Sequence, residues 1–555
     1  DRLDYGCASA NFANGTSRTQ VSCKIGEQGG QDVMSGRLAL RWEPTSGIDN
    51  TLIADITRDR SQNPAAVLLT QNASWTGGAN YITPPGSYTN YEDYISTPRG
   101  GSSTGVKYAL SPITPVDSWG ISNTLNIDLS DTLKLTSITA FRSSDTTFNS
   151  TLDASPASIL DQAWRLKHEQ FTQELRLSGQ IGGLLDWTVG GYYYKANGNS
   201  GGRVTLSGGL LPGGGGLNND ILFSDPVETS SKSAFVHTVW HLADGLNVTG
   251  ALRYTDDRKA FTFNRYDANG ARHPTLGSLI NFAAVYSGDR LDYRVGIDYQ
   301  WSAAFMTYAQ VSTGYKGGGI NPRPFISTQV VPYNPEELTS YEAGFKSQFL
   351  DRRVTLNGAV FLSDYKNFQG TLLRCPSLSP TPTFPCTQST NIGDARIKGA
   401  EVELTVEPVD GFKIDGSAGY LDFEYTRVDA ATGVTLDMTN VYTPKWTAAG
   451  GAQYAFDLGG LGTLTPRFDL SYRSRVEGDA VNLPISSLPG RTVLGASLKW
   501  QNEDRDWQAM LSVSNLTDKY YFNSTGARPN APYFTAVGVL APPRTVLLTV
   551  KRTFD

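Results

Sequence analysis

The chain has 555 residues, a formal net charge of −6 and only 18% charged residues. Both signs are interspersed, so no nucleic acid is expected as a partner, and no run of about eighteen apolar residues offers a transmembrane helix. A chain this long ordinarily makes several domains, yet no charge block, proline hinge or change of texture marks a boundary, and residues 1–555 read as one very large domain. The opening Asp1-Arg2-Leu3-Asp4-Tyr5 has neither a basic region nor an apolar run, so no signal peptide is present; an exported protein would have lost it.

Taken in chain order, the elements are hairpins. Residues 36–43 alternate, with Leu38, Leu40 and Trp42 on one face; a turn over 44–50 follows, and Leu52, Ala54 and Ile56 alternate again. Period two with one apolar face is the strand signature. The connection over about 61–117 carries Trp75, Tyr81, Tyr88, Tyr91 and Tyr94 and has no period. Segments 119–129 and 133–141 turn at 130–132. Segments 171–179 and 186–195 turn at Gly182-Gly183, and a loop centred on Gly213 to Gly216 comes next. Further hairpins turn at 243–245, 301–303, 350–352, 408–411, 457–460 and 502–505, and a last segment covers 544–554. In all, about nineteen strand-like segments are legible.

The links between them alternate. Tight polar turns of a few residues are followed by irregular stretches of roughly fifteen to sixty residues, as expected of a membrane barrel whose rims face different compartments. Trp42, Trp187, Trp240, Trp301, Trp500 and Trp507 flank or occupy the short turns, where an aromatic girdle at one membrane interface would put them. The faces opposite the apolar ones are polar, as in Thr172, Glu174, Arg176 and Ser178. Open sheets rarely exceed about ten strands, so the expected fold is all-β: a transmembrane antiparallel β-barrel with a polar lumen and with outer-membrane lipid around it.

The four cysteines fall in two local pairs, Cys7 with Cys23 and Cys375 with Cys386, each inside a long connection. Two disulfides in an oxidising compartment are expected. Four free thiols or a metal site are the alternatives, but no CxxC occurs and histidine is scarce.

Six segments together resemble the β-barrel of TonB-dependent outer-membrane receptors. They are Phe171-Thr-Gln-Glu-Leu-Arg-Leu177, the stretch from Tyr308 to Gly319, the stretch from Pro335 to Lys346, Ala395-Arg-Ile-Lys-Gly-Ala-Glu-Val402, Ser514-Asn-Leu-Thr-Asp-Lys-Tyr520, and Pro543-Arg-Thr545 through to Phe554. They lie in family order across most of the chain. The opening from Asp1 to Cys7 is similar to the second extracellular loop of large receptors from sphingomonad-like bacteria. The resemblance implies the outer membrane of a Gram-negative bacterium, and Phe554 as a signal to the outer-membrane assembly machinery. It also implies active uptake of a scarce solute: a siderophore, an oligosaccharide or an aromatic compound.

The family's N-terminal plug, energy-coupling box and first strands find no counterpart. A family barrel of about twenty-two strands with a plugged lumen would leave this chain with strands four to twenty-two. The expectation is that the native polypeptide, or a separate chain, supplies the plug and strands one to three, and that TonB acts through that plug.

Catalytic motifs are nearly absent, and neither an enzyme nor a cofactor is expected. His237 and His241 sit on one strand face about 13 Å apart from the strand rise, too far to share a metal. Gly213 to Gly216 lack a following Lys-Ser/Thr for a phosphate loop. Asn334-Pro-Glu-Glu-Leu338 resembles a haem-receptor box but has no histidine nearby. Contact with a small-molecule ligand is expected from Trp75, Tyr81, Tyr88, Tyr91 and Tyr94 by stacking, and from Arg99, Lys316, Arg323, Arg374 and Arg528 by attraction of an anion. Each of these residues could equally serve only to pack or solvate its loop. A passive porin-like channel, and a surface β-protein that binds without transport, are the rival readings; for a propeller or repeat adhesin no fixed period is found.

Overall fold

A computed structural model describes residues 2–3, 24–26, 28–71, 110–151, 160–207, 218–373, 375, 378, 386–528 and 535–554. One antiparallel sheet of 21 strands curls into a barrel. Two of its members, Arg265–Tyr266 and Phe456–Asp457, are two-residue extensions, so nineteen strands build the wall. The nineteen segments legible in the sequence are these nineteen.

Alternation explains the wall. Along Thr463–Arg473, Phe468 and Leu470 point outward and are exposed, while Arg467, Asp469, Ser471 and Arg473 point inward. Along Phe282–Ser302, Leu291, Tyr293, Val295 and Ile297 form the outward face. Exposed apolar residues on a continuous sheet face are a liability in water and a requirement in lipid. Further out the same face turns charged: Asp364 pairs with Arg396, Glu424 with Lys398, and Asp422 with Lys445, at 2.7, 3.3 and 3.1 Å. The apolar belt below this ring is about ten residues tall, the length a tilted strand needs to cross a bilayer.

Two strand expectations needed correction. The first turn is tighter than residues 44–50, because Thr45 already faces Ile48 in register. The strands after it are longer: Leu160–Ile181, Leu185–Ser207 and Asn218–Ala243 extend well past the expected ends and pair continuously, from Leu160 against Leu206 and from Asn218 against Ser207. The extension Asn197-Gly-Asn-Ser-Gly-Gly202 has no apolar face. No residue of that stretch is buried on either face, so the period-two signal vanishes while the backbone pairing continues.

The junction between the first wall strand, Val33–Thr45, and the last, Thr545–Arg552, differs from the others. A residue-by-residue register runs from Val33–Thr45 against Ile48–Asp59 round to Trp507–Ser514 against Thr545–Arg552; among the described residues none joins the first strand to the last. Every residue of both end strands is exposed. Both also run toward the short-turn rim. The first enters the Ser46-Gly47 turn, and beyond the last, Thr553 N–H donates to the Asp506 carbonyl in the turn before Trp507. The two edges are therefore parallel to each other.

Above this seam the outer connections meet. Ala66–Gln71, from the connection expected to be irregular, joins Phe522–Arg528 and Thr535–Leu540 in a three-stranded sheet. Residues from the two sides of the seam are thus stitched together outside the membrane, with Leu540 N–H donating to the Ala65 carbonyl at 2.9 Å.

Lipid-facing and lumen-facing positions should respond differently to charge. Phe468→Arg places a guanidinium in mid-strand on the lipid face and is expected to cost about 2–4 kcal/mol. Ser497→Lys, on the lumen side, should cost far less. Urea unfolding in lipid vesicles measures both.

Candidate functional site

Among the described residues there are three buried apolar clusters, and all sit at the outer rim. Phe261, Phe263, Leu279 and Ile320 form one, Val204, Ile221, Phe223 and Leu276 a second, and Phe368, Leu372, Ile392 and Tyr425 belong to the third. Residues 264–281 and 317–335 fold over the strand tips to bury the first two, and the connections carrying Val434, Met438 and Val481 pack on the third. The short segment around His273 is wound tightly, its Nδ1 accepting from the Leu276 N–H at 3.0 Å, and burial holds its pKa below the usual histidine range.

A buried ion pair locks these two connections together. Arg265 and Asp225 are both only 5% exposed and lie 2.7 Å apart. Arg265 also donates twice to the Pro324 carbonyl, at 3.1 and 2.6 Å, while Asp225 accepts from the Asn264 N–H at 3.0 Å. The second connection is clamped at its ends by amides. Gln369 Nε2 donates to the carbonyls of Lys316, Gly317 and Asn334, and Asn391 Nδ2 donates to Asn334 O while its Oδ1 accepts from Asn334 N–H.

This rigid frame presents Arg323. Its guanidinium lies 4.6 Å from the centre of the Trp164 ring. Trp164 stacks on Phe148 and meets Phe223 edge-on, at 5.6 and 4.9 Å, and its buried indole N–H has no hydrogen-bond partner among the described residues. No carboxylate pairs with Arg323 among the described residues. The side chain is nonetheless open to solvent, and the surrounding protein pulls its pKa down by desolvation. A guanidinium held over an indole and unspent on any acid can receive an anion.

Of the other expected ligand contacts, Lys316 ends the Phe305–Lys316 strand and is exposed, close to Lys259 rather than to Arg323. Arg528 ends the Phe522–Arg528 strand opposite Thr535. Trp75, Tyr81, Tyr88, Tyr91, Tyr94, Arg99 and Arg374 lie outside the described residues, as do Cys7, Cys23 and Gly213 to Gly216. Cys375 and Cys386 form a disulfide, both buried, in the connection whose Leu378 carbonyl accepts from Thr328 Oγ1. His241 is held by Asn247 and Asp186.

The six tryptophans all lie at strand ends next to short turns. Trp42, Trp240, Trp301 and Trp507 are exposed. Trp187 covers Gly179 on the neighbouring strand, and Trp500 Nε1 donates to the Leu461 carbonyl at 2.9 Å. Phe554 is exposed, with Arg552 over its ring at 4.6 Å. Trp164, Arg265 and Asp225 were not singled out in the sequence, because nothing local distinguishes them; the pair joins positions 40 apart.

Comparison with known proteins is consistent with this geometry. Residues 41–516 match the family model described as TonB dependent receptor-like, beta-barrel. The probable TonB-dependent siderophore receptor PiuA of Acinetobacter baumannii is 26% identical over 261 residues, 44% of this chain and 32% of that protein. The pesticin receptor of Yersinia pestis is 23% identical over 290 residues, 52% of this chain and 39% of that protein. The chain thus matches about a third to two fifths of the length of these relatives. Among solved structures, the ferric yersiniabactin uptake receptor FyuA from Yersinia pestis superposes with a TM-score of 0.73 at 18% identity, covering 95% of this chain and 72% of that one. The siderophore receptor PiuA from Acinetobacter baumannii gives 0.69 at 18%, covering 95% and 76%.

Removing one member of the buried pair leaves the other uncompensated. Asp225→Ala should cost about 3–5 kcal/mol. Hydrogen exchange should show the loss confined to residues 264–281 and 317–335, with the strands in the membrane still protected.

Proposed function

This chain belongs to the TonB-dependent receptor-like β-barrel family, and we propose that it forms the wall of a receptor that actively takes up a scarce, anionic metal–siderophore complex. The protein is an outer-membrane β-barrel of a Gram-negative bacterium. The observation that carries the proposal is Arg323 on Trp164, a cation without an acid partner among the described residues, facing the outer vestibule on a braced frame. Relatives named as siderophore receptors support the choice of solute class. The loop aromatics Trp75, Tyr81, Tyr88, Tyr91 and Tyr94 would complete the contact surface, and Arg99, Lys316, Arg374 and Arg528 would add to its positive potential. The tryptophans beside the short turns would form the periplasmic girdle.

The seam supports a second part of the proposal. Two parallel, exposed edges cannot pair with each other in an antiparallel wall, whereas any odd number of added strands can join them. Three strands would bring nineteen to twenty-two. We propose that three strands, with a plug that TonB pulls to release the solute, complete the receptor.

Uptake tests this directly. In iron-starved cells making the complete receptor, uptake of ferric siderophore should require TonB, and Arg323→Ala should weaken binding by about 1.5–3 kcal/mol. Uptake that persists without TonB, together with a steady open conductance in a planar bilayer, would identify a passive pore instead.

A further inference from the structure

Several inward-facing arginines of the wall are matched by acids. Arg142 meets Asp55 at 2.8 Å, Arg290 meets Asp292 and Glu337 at 3.1 and 2.8 Å, and Arg467 meets Asp415 and Asp469 at 2.7 and 2.8 Å. Just above Arg467 the pattern breaks. Arg473 ends its strand directly opposite Arg491, the first residue of the next. Like charges directly opposite on neighbouring strands are destabilising, and among the described residues no carboxylate pairs with either.

Their hydrogen bonds leave donors to spare. Arg473 uses one nitrogen, Nη1, on the Ser474 carbonyl at 3.1 Å. Among the described residues Arg491 also uses only Nη1, on the Phe522 carbonyl and Asn523 Oδ1, at 3.3 and 3.4 Å, and lies 4.2 Å from the centre of the Tyr521 ring. Each guanidinium carries five donors in a fixed fork, so most meet no acceptor among the described residues. Ser417, Thr447 and Ser471 line the same hollow of about 230 Å³ on the lumen side. Two cationic forks beside three hydroxyls suit an oxygen-rich anion, whose charge would relieve the repulsion between the arginines.

We propose that Arg473 and Arg491 form a seat for a carboxylate-bearing solute in the throat of the barrel. The site is distinct from Arg323, shares no residue with it, and belongs to the other flank of the wall. It would hold the solute on its way down from the vestibule. The proposal rests on the lumen being the solute's path, but binding is measured without transport, so its failure leaves the uptake proposal standing.

Isothermal titration of the complete receptor in detergent, with succinate and separately with inorganic phosphate at low salt, is the test. Saturable binding of succinate is expected, weakened at least about tenfold by Arg473→Gln and by Arg491→Gln, with phosphate competing. Lys398→Gln, on the outward face of the wall, should leave this binding unchanged. Heat-modifiable mobility on gels checks that each variant is folded, and Arg473→Lys, which keeps the charge but loses the fork, should fall between wild type and Arg473→Gln. A silent titration would mean that a carboxylate of the polypeptide itself occupies the pair, and overturns the proposal. So would equal affinities in wild type and variants.

Discussion

In hydrocarbon an unpaired backbone N–H or C=O has nowhere to turn, and each costs several kcal/mol. The rest of the structure depends on that constraint. It forces nineteen strands into continuous antiparallel register. It keeps the connections at the periplasmic rim short, and it makes the seam between Val33–Thr45 and Thr545–Arg552 the place where the wall is least satisfied. The stitching of Ala66–Gln71 to Thr535–Leu540 lies above that seam, where water can solvate what the strands leave open.

The same constraint explains where the core lies. A wall with lipid on one side and a polar lumen on the other has no interior, so its apolar side chains bury little against one another. Burial becomes available only where connections fold back over the strand tips, and there the three clusters form. Phe263 and Leu279 are fully buried at the rim, whereas Leu404 and Phe468 in the membrane belt stay exposed. The rim is therefore the part of the molecule with protein-like packing, and it can hold Arg265, Asp225 and Arg323 in place. A vestibule proposed to recognise a solute needs such rigidity, which a bare ring of loops would lack.

Charge follows the geometry. On the outward face above the membrane, acid–base pairs such as Asp364 with Arg396 are solvent-exposed and each contributes little. On the inward face the pairs keep the lumen polar without leaving it strongly charged of either sign. Against that background Arg323 at the outer rim and the facing Arg473 and Arg491 are guanidiniums without an acid partner among the described residues, positions at which an anion gains.

Much of this was legible in the sequence by itself. Period-two alternation at Leu38, Leu40 and Trp42, or at Leu175 and Leu177, is a local pattern, and it sufficed for the strands, the short turns, the membrane and the count. Cys375 and Cys386 could be paired because they are eleven residues apart. The signal failed along Asn197–Gly202, where no residue is buried, so that extension was not visible; Ala66–Gln71 was missed because its short apolar run has no period-two alternation and sits inside a long connection. Only the tertiary structure decided which polar residues meet. Arg473 and Arg491 are separated by a long connection, and nothing in either neighbourhood says that they face each other; that follows from the register of their two strands. Likewise Trp164 meets Arg323, 159 residues further along the chain. Alternation is written residue by residue, whereas register across a long connection is settled by the closing of the whole sheet.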